Sequence, residues 1–502
     1  MSISDSGKMK FDSFDSKFRS LSIRENEASF SMYRGLEHED LNKIESEISE
    51  LWKSPETGEL AKIRDVPREL ARPLELLRNG ILRNSVEGRE EIFKAKNECN
   101  QMLVEFKLKL DGVEISRSDH GELMRWEKDY QKRRRAAGVF VELEKDLHPK
   151  VLDLIEKRNR FAKELGFESF PHMMFRIDEA NFEDVRTQLT SLLEKSAESY
   201  RAILKQFSDR PEMTPGGLVS SDLAYLFENY LPNLPNEKFP KDTLIDALKN
   251  GYRSIGVELD KLPIQTVIQD IPAGGFCFTF DPGKDIRILA NPRDGWMWYQ
   301  ILFHEFGHAV QGSFAKGDGH YLVALSDPGF FWEGIAVTFE KLALRESFIE
   351  KFVPDLSLIN EFTDGVNKRI LYRVRRLAAD ALFEYSVYLE PASYEELVER
   401  KADMVRKYFL VEPALEKPTW THDIFHITHP IYIQNYVLAE MMARHILDSS
   451  DTLGEDPWSD KFARRIIDEL LVPGGMVRWD EKIRNFTGKP LSADALVRSI
   501  LG

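Results

Sequence analysis

The chain has 502 residues, 42% of them hydrophobic and 30% charged, so it can bury a large core in the ordinary globular way. Its net charge of −15 argues against a nucleic-acid binder, which carries a basic footprint. No uninterrupted apolar run is long enough to span a bilayer.

Residues 1–28 are rich in Ser, Asp and Lys and read as a poorly ordered lead-in with no apolar leader segment. Cys99 and Cys277 are isolated, with no CxxC or Cys/His zinc pattern. They suit a reducing compartment, although one long-range disulfide is the alternative. The expectation is a cytoplasmic protein with no membrane or nucleic-acid partner. The rest, 29–502, reads as one helical body, with a helical part over 29–205 and a second part over 206–502. Apolar residues at three- and four-residue spacing predict helices over 39–53, 66–82, 86–110, 121–145, 148–165 and 181–206. The run Lys132–Arg135 reads as a solvated helix face. No fixed-period repeat is visible.

The β signal is confined to 263–291. Strands are predicted over 263–268, 276–280 and 286–290, with Asp281-Pro282-Gly283-Lys284 as a turn. Helices resume near 294 and continue to the end. The fold expected is mainly α, with one small β-sheet placed just before the motif described next.

His304-Glu305-Phe306-Gly307-His308 fits HExxH on a helix, with Asp294 as its expected N-cap. Residues four apart share a helix face, so the two imidazoles can hold one Zn2+ ion. Glu305 lies about 100° round the helix from His304. Zinc chemistry needs a carboxylate there, because a bound dication lowers the pKa of its water and a neighbouring base takes the proton. A catalytic zinc also needs a third protein ligand. Ser326-Asp327-Pro328 signals a helix start, and the helix that follows carries Glu333, Val337 and Glu340 on one face. Glu333 is the candidate third ligand. Glu340 is the candidate acceptor for the second ring N–H of a ligand histidine, or a surface glutamate. The segment 422–436 gathers three histidines, two tyrosines and an asparagine. Tyr and His aimed at a developing oxyanion are the expected partners of a zinc hydrolase. On residues alone, Tyr432 and Tyr436 at four-residue spacing are more often a core stripe.

These pieces together resemble the thimet oligopeptidase and oligoendopeptidase F family and, more distantly, angiotensin-converting enzyme. The likeness runs through GGFCFTF (274–280), RILANPRDGWMWYQILFHEFGHAVQG (287–312) and the 25-residue step from His308 to Glu333. It also includes His426, Tyr432 and Tyr436 at offsets of zero, six and ten. Weaker likenesses are the tail 473–496 and RNRFAKELGFESF at 158–170. The resemblance implies a two-lobed helical clamshell with one zinc ion per chain and short peptides as substrates. It makes His426 and Tyr436 oxyanion donors, Glu340 the partner of a ligand histidine, and Tyr432 a substrate contact. The edge strand, through Gly274, Gly275 and Phe276, would pair with the peptide backbone. Ile424 stands where angiotensin-converting enzyme has a carboxylate-binding Lys, so obligate removal of C-terminal dipeptides is not expected. A carboxypeptidase or peptidyl-dipeptidase and a catalytically inactive peptide-binding scaffold are the rival readings. Oligomeric state is not legible.

Overall fold

The computed structural model describes residues 3–64, 66–209, 217–271 and 274–501. It is mainly α, as expected. A three-stranded sheet is built from β3 (Ile264–Ile268), β4 (Gly275–Asp281) and β5 (Asp285–Ala290). A small hairpin, β1 (Leu108–Leu110) and β2 (Val113–Ile115), lies earlier in the chain. The reading that ran a helix to 110 missed this hairpin. Its signal is the Asp111-Gly112 pair, both at positive φ (52° and 83°), which is a tight hairpin turn.

The chain divides into two compact units. One comprises Met1–Gly88, Leu234–Ile359 and Leu438–Ser492. The other comprises Arg89–Asn233, Asn360–Val437 and Ala493–Gly502.

In the first unit, the expected lead-in is a helix, Ile3–Tyr33. Its Phe11 and Phe14 are buried in a cluster with Leu60, Leu74, Leu77 and Val323. Asp15 accepts the backbone N–H groups of Tyr321 and Leu322, both at 2.8 Å. Phe18, one turn beyond Phe14, packs against the same cluster, although the segment's polar composition hides these aromatics.

The sheet has the order β3-β5-β4, with β5 parallel to β3 and antiparallel to β4. Side chains alternate along β4. Phe276, Phe278 and Phe280 pack against Phe30 of the N-terminal helix. Gly275 and Thr279 face the helix Trp296–Phe314, which carries HExxH. The cap of that helix falls one residue later than expected. Gly295 is the N-cap at φ 119°, and Asp294 instead accepts the N–H of Lys241 at 2.8 Å.

In the second unit, the helix Val141–Glu164 and the long helix Leu356–Leu389, from Asn360 onward, surround an irregular segment, 410–433. The basic run is only partly solvated. Arg133 is buried and pairs with buried Asp222 at 2.6 Å, while Lys132 and Arg135 pair at the surface. Both cysteines are free thiols. Among the described residues, no helix is long and apolar enough to cross a membrane.

Candidate metal centre

Two helices of the first unit build the site. The HExxH helix brings His304 and His308 onto one face, their ring centroids 4.8 Å apart. The helix Gly329–Glu340 lies against it and presents Glu333. Gly307 explains how closely the two helices approach. A Cβ there would sit 2.8 Å from Ala336 Cα and 3.0 Å from its carbonyl oxygen, both backbone atoms that cannot swing aside. Gly307→Ala should therefore push the helices apart, cost about 1–3 kcal/mol and weaken metal retention. Thermal melting with metal analysis checks this; an unchanged Tm and full metal content would show that the contact is slack.

Glu333 Oε2 lies 3.4 Å from His304 Nε2 and 3.9 Å from His308 Nε2. One donor atom from each of the three residues falls within 4.8 Å of the others. His304 Nδ1 is 3.0 Å from Glu340 Oε2, so a hydrogen bond donated there leaves Nε2 as the nitrogen that would face a metal ion. The second oxygen of Glu340 accepts from Gln300, one turn before His304 on the same helix. Two imidazoles and a carboxylate converging in this way suit a tetrahedral dication with one open position. The residues fit a zinc ion.

The electrostatics point the same way. Burial opposes charge on His304, yet the bonds to Glu333 and Glu340 raise its pKa to about 10. Burial and the neighbouring His304 push His308 down to about 4. Glu333 is held below the usual carboxylate range by the two histidines in spite of its burial. The cluster thus concentrates negative charge and is poised for a cation. Burial and the nearby Glu333 raise Glu305 to about 7, against the attraction of His304, in the range a general base needs at neutral pH.

Glu305 runs along the free edge of β4. Its carboxylate accepts the backbone N–H of Cys277, and its Cγ lies 3.1 Å from where a Gly275 Cβ would be. Gly274 C=O accepts from Asn291 N–H on the β5 side. Antiparallel alternation therefore turns the Gly275 N–H and C=O toward the edge. Asn26 caps that edge further along, at Thr279 O, 3.1 Å away.

Of the remaining candidates, His426, Tyr432 and Tyr436 lie in the second unit. The tyrosine rings are 5.6 Å apart, each about 6 Å from Phe425, and both are half-buried. His426 is buried, its ring edge-on to Trp420 at 5.1 Å. Sequence reasoning missed Gln300 and the Cys277 N–H. Gln300 had a signal in its i−4 position to His304; a backbone group has none.

An HExxH helix faced by a glutamate from a second helix, beside an edge strand, defines the metallopeptidase class. Residues 273–501 match the sequence model of peptidase family M3, a family of zinc metallopeptidases. The match bears out the resemblance to the thimet oligopeptidase and oligoendopeptidase group. No curated protein matches the sequence.

Proposed function

We propose that the chain is a zinc-dependent oligopeptidase that cuts short, unstructured peptides. The observation that carries this reading is the convergence of His304, His308 and Glu333 with Glu305 beside them on the open edge of β4. His304, His308 and Glu333 would hold the ion, which supplies Lewis acidity to the scissile carbonyl and to the attacking water. Glu305 takes the proton of that water and delivers it to the leaving amine. Glu340 fixes the His304 ring through Nδ1. Of Gly274, Gly275 and Phe276, Gly275 is the one whose backbone groups turn to the open edge, and it offers them to the peptide as an added strand. Tyr436 and His426 donate to the oxyanion and Tyr432 contacts substrate; here the support is the matching offsets and the match of 273–501 to family M3.

The exposed side chain at 424 is Ile, so no cation stands there to anchor a C-terminal carboxylate. Internal cleavage is the favoured mode over a carboxypeptidase or peptidyl-dipeptidase mode. The oligopeptidase reading predicts selection by length. A folded domain costs about 5–15 kcal/mol to unfold, whereas a short peptide pairs with β4 without that cost. A nested series of one peptide, from a pentapeptide upward, should be cut with rates that fall steeply at the long end. Native globular proteins should resist. Efficient cutting of a native protein would overturn the oligopeptidase reading, and stepwise release of C-terminal dipeptides alone would favour the rival mode. Zinc content without any turnover would leave a binding scaffold.

A further inference from the structure

The segment 420–436 has little regular structure before the helix Gln434–Leu453, only a short 3-10 turn at Ile424–His426. Its backbone groups must therefore find partners elsewhere. Buried charged side chains supply several of them. Arg158, fully buried, donates Nη1 to His426 O at 3.0 Å and Nη2 to Ile427 O at 2.7 Å. Glu144, also buried, accepts from Trp420 N at 3.0 Å, Thr421 N at 3.2 Å, Thr421 Oγ1 at 2.8 Å and Tyr394 Oη at 3.1 Å. Both residues lie on the helix Val141–Glu164, upstream of the family match.

A third buried charge acts at a strained point. Ile431 has φ of 55°, a region that β-branched residues rarely enter. Its N–H donates to Glu384 Oε1 at 2.9 Å, and its C=O accepts from Gln434 Nε2 at 2.7 Å. Glu384 Oε1 also lies 3.8 Å from His426 Nδ1. The strained residue directly precedes Tyr432. Strain of this kind persists only where surrounding groups over-determine the conformation, and it gathers at functional sites. Burying charges to hold a loop is costly compared with apolar packing, so it is a device for conformational specificity. Here it fixes the backbone at His426 itself and sets where the chain enters the turn that leads to Tyr436.

We infer that Arg158 and Glu144 are positioning residues for the His426–Tyr436 segment, through which the N-terminal part of the chain bears on catalysis. The inference rests on the proposed oxyanion role of that segment. It also gives a function to RNRFAKELGFESF, whose first residue is Arg158.

The test uses the full zinc-loaded enzyme and a short peptide substrate. Arg158→Lys keeps the charge but lacks the two-pronged guanidinium that spans two successive carbonyls. It should lower kcat by on the order of 10- to 100-fold, the effect of a small misplacement, with KM and zinc content nearly unchanged. Tyr436→Phe alone should lower kcat by on the order of 10²- to 10³-fold. In the double variant the Arg158→Lys effect should nearly vanish, because residues acting through one another are non-additive. Thr421→Val, which removes one bond to Glu144, should reproduce the kcat loss in milder form and serves if Arg158→Lys does not fold. A lowered Tm with unchanged kcat, or full additivity with Tyr436→Phe, would make the clamp merely structural and overturn the inference. A silent Tyr436→Phe would instead remove the oxyanion reading, so the two failures are distinguishable.

Discussion

Replacing Glu305 by Gln should abolish peptide turnover while leaving about one zinc ion per chain. The carboxylate lies beside the cluster of His304, His308 and Glu333 and is not one of the three converging groups. The amide has the same shape, so it still fits against Gly275 and can still accept the Cys277 N–H through its oxygen. What it loses is basicity. A positioned general base contributes on the order of 10²–10⁴ in rate. Its raised pKa of about 7 in the metal-free site comes from burial and the Glu333 charge, and a dication beside it would draw that value down. The measurement pairs metal analysis with kcat/KM on a short peptide. Near wild-type turnover in a zinc-replete variant would place the base on another residue, and loss of zinc would make Glu305 part of the ligand shell.

Much of the first unit was legible because its signals are local. The strands over 263–291 alternate and are separated by a Pro-Gly turn, and they form almost where the pattern put them. HExxH and the Glu333 helix follow from four-residue spacing alone. Other features depend on partners far away in sequence. The N-terminal helix looks like a solvated tail until Phe11, Phe14 and Phe30 find Leu60, Leu77 and the face of β4. Asp327 was read as a helix-start signal, yet its carboxylate takes Lys482 at 2.7 Å, in a buried pair that joins the Glu333 helix to the chain's C-terminal tail. Arg158, Glu144 and Glu384 look like ordinary helix-surface charges, and nothing local marks them as buried. The division into two units of three segments each is a property of long-range packing that no window of sequence contains. The Asp111-Gly112 turn is the exception, a local signal overridden by the helical pattern around it.

Glu333→Ala and Glu340→Ala should separate cleanly, although the two residues sit on one face of one helix. Glu333 Oε2 is the atom shared between His304 Nε2 and His308 Nε2, so its loss leaves two neutral ligands and no charge to offset a dication. That variant should lose its ion on dialysis and, with it, essentially all activity. Glu340 touches the site only through His304 Nδ1 and Gln300. An outer partner of a ligand histidine typically changes metal affinity or activity by about 10–100-fold. Its removal also strands two partly buried donors, at a cost of up to about 1–3 kcal/mol each. The discriminating measurement is therefore thermal melting with and without zinc. A ligand that binds only the folded state raises Tm by an amount that grows with the logarithm of its concentration over its Kd. In Glu333→Ala that zinc-dependent rise should disappear while the metal-free Tm moves little. In Glu340→Ala the metal-free Tm should fall, and a reduced zinc-dependent rise should remain. A full zinc-dependent rise with intact kinetics in Glu333→Ala would mean that the third ligand is a different residue, and the helix Gly329–Glu340 would then owe its place against Gly307 to packing alone.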